Sequence, residues 1–343
     1  MKRSDKPPGM RLLPEWARQW GVLIAWPHTD TDWAPLLDDA EAVYRQLAGA
    51  IAVREELLVL CRNGDHREHI RHQLENAGAD MQRLHFHELA FDDTWTRDYG
   101  PLALGGPAGT ELADFIFNGW GGKYDARRDN EVNQHLPWQV PLHARALVLE
   151  GGAVDTDGQG TLLTTRSCMR HPGRNPDIEG PELDSRLRDL LGIDDIIELE
   201  HGILEGDDTD GHVDTLARFC APASLAYVQC SDEADAHYGE LRALEAELEV
   251  LAQARGWHLT PLPLPPAIHD EQRRRLPATY ANFLILNEAV LMPVYGENTD
   301  EAARLQLQSA FPDRVVETVY CRPLLRQGGS LHCATLQLPE GVI

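Results

Sequence analysis

Short apolar runs of three to five residues recur along the whole chain, separated by stretches whose apolar residues recur at helical spacing. The runs are Val22-Leu23-Ile24-Ala25-Trp26, Leu57-Leu58-Val59-Leu60, Phe115-Ile116-Phe117, Leu147-Val148-Leu149, Thr161-Leu162-Leu163-Thr164, Leu225-Ala226-Tyr227-Val228, Phe283-Leu284-Ile285-Leu286 and Val290-Leu291-Met292. Such runs read as strands buried on both faces. Asn287-Glu288 reads as the turn of a hairpin between the last two. Helices are predicted over 36–53, 65–77, 181–191, 232–255 and 299–310. The fourth has Ser231 as its expected N-cap, Asp232 and Glu233 near its positive end, and Gly256 as its stop. Thr299 is the expected cap of the fifth. Strands and helices alternate throughout, so the fold is α/β or α+β. The pattern does not distinguish one open sheet from a barrel or several small sheets.

With 343 residues the chain can bury a large core. No stretch approaches the about 20 apolar residues of a membrane span. Met1-Lys2-Arg3 has no apolar segment behind it, so no secretory signal is expected, and residues 1–10 are expected to be disordered or loosely packed. Cys61, Cys168, Cys220, Cys230, Cys321 and Cys333 show no CxxC spacing, which points to reduced thiols in the cytoplasm. The net charge of −24 disfavours nucleic acid as a partner, and none is expected. An acidic protein suits a small cation, although acidity also serves solubility.

Polar residues crowd four places. They are Asp92 to Pro101, Leu149-Glu150-Gly151-Gly152, Glu205 to Asp214, and Gly328-Gly329-Ser330-Leu331-His332-Cys333. Two glycines and a serine ahead of Cys333 let a loop present a thiol. In the third run, carboxylates at 207, 208, 210 and 214 surround His212. If that backbone is extended, His212 and Asp214 share a face. A carboxylate beside an imidazole favours the protonated ring, a general acid for an amine leaving group. The run fails as a calcium loop. With Gly211 in the glycine position, Gly206 falls first and Ala217 stands where the bidentate Glu is needed. No HExxH occurs among the fifteen histidines, so neither metal nor cofactor is expected.

A cysteine nucleophile with one histidine needs one orienting acid, and here carboxylates are in surplus. Surplus carboxylates suit a guanidinium, whose planar N–H donors pair with them bidentately. At that point the chain resembles the agmatine deiminases, of the peptidylarginine-deiminase and guanidine-modifying superfamily. The matching runs are Pro14-Glu15-Trp16, Ala25-Trp26-Pro27, Asp92 to Pro101, Phe117 to Tyr124, Leu149 to Gly152, Asp207 to Asp214, Tyr280 to Phe283 and Gly328 to Cys333.

The resemblance implies a single catalytic domain over 11–343, built as a five-bladed α/β-propeller of ββαβ units with its site at the centre. It implies Cys333 as nucleophile, His212 as general acid and base, and Asp98 and Asp214 as the carboxylates that grip the guanidinium. Glu150 would orient the histidine or the substrate, and Asp208 would lie near the substrate. Trp95 and Trp120 would wall the aliphatic chain, and Asn282 would lie close by. The implied partner is a small cationic guanidino compound, with a homodimer as the expected assembly. The alternative substrate is free or peptidyl arginine, whose carboxylate or backbone needs a basic residue; Arg127 and Arg128 are the candidates.

Overall fold

The computed structural model of the chain describes residues 9–343. It is a mixed α/β structure with five separate sheets of three or four strands. In every sheet one strand has an antiparallel neighbour on one side and a parallel neighbour on the other. Ser224–Gln229 lies between Ala217–Ala221 and His258–Pro263. Ala289–Val294 lies between Leu284–Ile285 and Val315–Tyr320. Thr161–Thr165 lies between Asp155–Thr156 and Asp195–Leu199. Gly109–Ile116 lies between Leu102–Gly106 and Leu142–Val148. The remaining sheet joins distant parts of the chain: Gln19–Ala25 pairs antiparallel with Leu336–Pro339 and parallel with Glu56–Cys61.

A tight turn suffices for the antiparallel step, whereas the parallel step requires a crossover. The helices Tyr238–Arg255, Asp300–Ala310, Gly180–Leu191, Leu37–Ala52 and Gly64–Asn76 supply five of the six crossovers, the last of them between Glu56–Cys61 and the parallel strand Leu84–Glu88. Between Gly109–Ile116 and Leu142–Val148 the crossing is irregular, with a 3-10 stretch at Asp129–His135. The middle strands are buried almost throughout, which is why they read as continuous apolar runs. The expected hairpin turn at Asn287-Glu288 lies in the connection between its two strands.

Several outer strands did not register as apolar runs. Val315–Tyr320 buries only Val316 and Val319, with Glu317 and Thr318 between them. His258–Pro263 carries Pro261 and Pro263, tolerated because it is an edge strand.

Two helix starts differ from expectation. The helix expected from 232 begins at Tyr238. Asp232 and Asp235 spend their carboxylates on the backbone N–H groups of Ala234 and His237, which makes turns instead of a first helical turn. Gly256 does end that helix, in the left-handed conformation. Thr299 makes no capping bond; its hydroxyl faces Tyr280. Asp300 takes the N–H groups of Gly296 and Glu297 instead.

Of the segment 1–10, residues 1–8 lie outside the described residues, and Met10 is buried. Among the described residues no helix is long and apolar enough to cross a membrane.

Candidate active site

Cys333 sits in the turn that precedes Leu336–Pro339, and Asn282 sets that turn. The Asn282 Oδ1 accepts the N–H of His332 at 2.9 Å and that of Cys333 at 3.3 Å. Its Nδ2 donates to Asp214 Oδ2 at 3.2 Å and to Cys333 Sγ at 3.3 Å. One amide thus positions both the thiol and a carboxylate. Asp214 Oδ2 also stands 3.6 Å from Sγ.

Asp98 comes from a single helical turn, Thr96–Tyr99. Its Oδ1 accepts the N–H of Gly152 at 3.0 Å, and its Oδ2 accepts the indole N–H of Trp120 at 2.9 Å. Trp120 holds φ 55°, a left-handed backbone unusual for a bulky residue, and the glycines on either side also have positive φ. Strain of this kind persists where the surroundings demand it, and here it aims the indole at Asp98.

His212 Nδ1 lies 3.5 Å from Asp98 Oδ1. Among the described residues, neither ring nitrogen has a hydrogen-bond partner, and Asp214 Oδ1 has none either. Gly152 is the hub of these groups. A Cβ placed on it would stand 2.7 Å from His212 Nδ1, 2.8 Å from Asp98 Oδ1 and 3.0 Å from Asp214 Oδ2. Two carboxylates and an imidazole nitrogen converging on one spot, with His212 Nδ1 and Asp214 Oδ1 unpartnered, suit a ligand that brings planar donors.

The expected route to this convergence was different. Residues 213–215 form a 3-10 turn, not an extended segment, so His212 and Asp214 do not simply alternate on one face. The carboxylate nearest His212 belongs to Asp98, while Asp214 is bonded to His332 Nδ1 at 2.7 Å.

Electrostatics separate the two aspartates. Burial pushes Asp98 up to about 6 despite His212. Burial also works against an ionised Asp214, but His332, His212 and Arg218 hold it below its ordinary value. Burial disfavours a charged His212 too; Asp98, Cys168 and Glu150 nevertheless hold its pKa well above the ordinary value. Cys333 is pushed well up by burial, then by Asp214 and Asp98.

Glu150 is fully buried and bonded through both oxygens to Arg174 Nε, at 3.0 and 2.8 Å. Arg174 continues to Asp210 Oδ2 at 2.8 Å. Glu150, Cys168 and His212 each offer a ligand atom within 4.8 Å of the others. With Glu150 already neutralised by a guanidinium, that trio is poorly disposed to hold a metal.

The pocket over Cys333 is walled by Trp95, Trp120 and Tyr124, and by the carboxylates Asp32, Asp93, Asp98 and Asp208. Among the described residues, neither lysine nor arginine lines it. Asp208 accepts from the Tyr124 hydroxyl at 2.7 Å. Burial pushes the Asp93 carboxyl up to about 6, although it accepts from Trp33 and Thr94. Arg127 and Arg128 are exposed, tied to Asp125 and Asp92, and neither lines the pocket.

Sequence reasoning missed Gly152 as the hub, along with Arg174, Cys168 and His332. The signals available were the second glycine after Glu150 and the histidine adjoining Cys333. Neither says which partner it meets.

A model of the Porphyromonas-type peptidyl-arginine deiminases matches residues 11–339. The agmatine deiminase of Stutzerimonas stutzeri is 32% identical, covering 96% of this chain and 96% of that protein. A cysteine-to-serine variant of C. jejuni agmatine deiminase, solved with substrate bound, has a TM-score of 0.91 at 33% identity over 97% of each chain. A Porphyromonas gingivalis structure, provisionally described as an arginine deiminase, has a TM-score of 0.90 at 44% identity, over 97% of this chain and 99% of that one. The match runs from the first described strand to the last, and the protein belongs to the Porphyromonas-type peptidyl-arginine deiminase family.

Proposed function

We propose that this protein is an agmatine deiminase, a hydrolase acting on the C–N bond of a linear amidine. It converts agmatine and water to N-carbamoylputrescine and ammonia. The observation that carries this reading is the convergence of His212, Asp98 and Asp214 around Gly152, with Cys333 beside Asp214, beneath a pocket of carboxylates and aromatics that no basic residue lines among the described residues.

Asp98 and Asp214 pair with the guanidinium and hold its carbon against Cys333 Sγ, which makes attack effectively intramolecular. The thiolate adds to that carbon. The C–N bond breaks, and ammonia departs with a proton from His212, leaving an amidino group on sulfur. Water gives a proton to His212, its oxygen takes the carbon, and the C–S bond breaks to release the ureido product. Glu150, fixed by Arg174, helps keep His212 charged. Asn282 holds Asp214 and the sulfur in register. Trp95 and Trp120 flank the methylene chain, and Asp208 lies toward the mouth for the distal ammonium.

The reading extends to a route toward putrescine, a cytoplasmic location and a homodimer. It also takes residues 11–343 as one catalytic unit, with the five ββαβ sheets as blades around the site.

The 44% identity to the P. gingivalis protein favours a second substrate, arginine or peptidyl arginine. An α-carboxylate needs a cationic partner. The arginines of the outer cleft are already paired: Arg274 with Asp270, Arg275 with Asp235 and Arg326 with Glu271. Ammonia release from agmatine, arginine and a peptide ending in arginine separates the two. The expected kcat/KM for agmatine exceeds that for either arginine substrate by roughly a hundredfold, the cost of leaving a carboxylate unpaired among carboxylates. Activity confined to arginine overturns the assignment.

The acid side of the pH profile follows from Asp98. Only its carboxylate form pairs with a guanidinium, and burial pushes its pKa up to about 6. kcat/KM for agmatine is therefore expected to fall about tenfold per unit as pH drops below about 6. A profile flat down to about pH 4.5 contradicts that role.

A further inference from the structure

The two glycines ahead of Cys333 are there for different reasons. Gly328 has φ 80° and ends the 3-10 turn Leu324–Gln327 in the left-handed conformation. Gly329 is absent from the residues with positive φ, so backbone freedom does not account for it. What it provides is space. A Cβ placed on it would stand 2.4 Å from Trp95 Cζ3, 2.5 Å from Cη2 and 3.0 Å from Cε3. The six-membered ring of the indole therefore rests against a bare Cα. Both residues line the pocket over Cys333.

The surroundings of this contact are fixed. The loop is held on both sides of Gly329. Gln327 Nε2 donates to the Asp32 carbonyl at 2.9 Å, and Ser330 Oγ lies 3.0 Å from the Tyr295 hydroxyl. Trp95 is buried and packs on Trp33, with 5.7 Å between ring centroids. Trp33 is held in turn by its indole N–H, which donates to Thr94 Oγ1 at 3.0 Å. The second aromatic wall is equally set. Trp120 donates to Asp98 Oδ2 at 2.9 Å and packs edge-on against Phe117. With Trp33 and the loop occupying two sides of Trp95, the pocket is the space a displaced ring would enter.

We propose that Gly329 is a specificity-determining residue that acts through Trp95. Its missing side chain lets Trp95 lie against the Cys333 loop, which keeps open the slot taken by the unbranched alkyl chain of a guanidine substrate. The guanidinium itself is held by Asp98 and Asp214. Gly329 thus governs the chain and leaves the head group alone.

The inference rests on the reading of this pocket as a guanidine site, and its test separates head group from chain. Binding of methylguanidine and of 1-butylguanidine is measured by calorimetry in the Cys333→Ser background, where no turnover intervenes. Adding Gly329→Ala is expected to weaken butylguanidine roughly tenfold or more, the scale on which one misfitted methylene is felt in an apolar pocket, and to move methylguanidine by no more than about twofold. Trp95→Phe removes the ring atoms that the new methyl meets. In the Trp95→Phe background, Gly329→Ala is therefore expected to weaken butylguanidine by less than about threefold, the mark of two residues coupled by direct contact.

Equal weakening of both ligands by Gly329→Ala places its role in the thiol loop and overturns the proposal. So does an unchanged affinity for butylguanidine, or the same loss in the Trp95→Phe background as without it. If Gly329→Ala does not fold, Trp95→Phe decides alone: it should weaken butylguanidine severalfold and spare methylguanidine, and equal weakening is fatal. Absence of ammonia release from agmatine by the protein with Cys333 intact would sink the deiminase reading and leave these affinity ratios standing. A protein that binds neither guanidine sinks both.

Discussion

Replacing Cys333 by serine is expected to lower turnover of agmatine by roughly a thousandfold or more, the scale set by removal of a covalent nucleophile. An alcohol gives up its proton far less readily than a thiol. The surroundings aggravate this, because burial, Asp214 and Asp98 already oppose an anion at this position. Hydroxyl and thiol are close in size, and Asn282 Nδ2 can donate to either atom. The fold is therefore expected to keep its melting temperature within a few degrees. Two measurements check it. Steady-state ammonia release gives kcat, and acid quench followed by mass spectrometry looks for an amidino group on the protein. The wild type should show the adduct on the peptide that carries Cys333, and the serine variant should not. A serine variant that turns over near the wild-type rate refutes the covalent route.

Gly152→Ala carries the second large effect, from a single methyl group. The glycine does not need its backbone freedom, since it is absent from the residues with positive φ. What it provides is space. The added Cβ would enter within 3.0 Å of His212 Nδ1, Asp98 Oδ1 and Asp214 Oδ2 together. Those are the atoms proposed to enclose the guanidinium, so methyl and substrate compete for one volume. The expected loss is a hundredfold or more in kcat/KM, since displacement by about 1 Å costs on that order. Overpacking a buried site typically costs about 1–3 kcal/mol. The variant should therefore remain folded, and its loss should exceed anything its stability explains. Gly49→Ala is the control. It lies in the helix Leu37–Ala52 with nothing within 4 Å of its Cβ. Alanine there should raise stability slightly, by up to about 1 kcal/mol, and leave activity alone. Near wild-type kcat/KM in Gly152→Ala would mean that the substrate lies elsewhere.

How far the sequence reached depends on burial. Ala289–Val294 and Gln19–Ala25 stood out because both faces of each strand are covered, which forces unbroken apolar runs. Val315–Tyr320 buries only Val316 and Val319, and Glu317 and Thr318 interrupt what would otherwise be an apolar run. The helix from Tyr238 started late because acidic residues that favour a helix start equally well serve turns, and local backbone bonding decided between them.

The sequence by itself determined the chemical inventory: a thiol on a glycine-led loop, one histidine among acids, too many carboxylates for a simple thiol hydrolase, and ordered motifs shared with a known family. It also settled the strand–helix alternation. Only the tertiary structure decided who meets whom. Asp214 and Cys333 are 119 residues apart in number and 3.6 Å apart in space. His212 and Asp214 are two apart in number, yet Asp214 bonds His332 while Asp98 faces His212. The physical reason is the 3-10 turn over 213–215, which rotates Asp214 away from the direction an extended strand would give it. Local periodicity reports which face a side chain takes within one element. The partners here arrive from separate sheets, and their placement is a property of how those sheets pack.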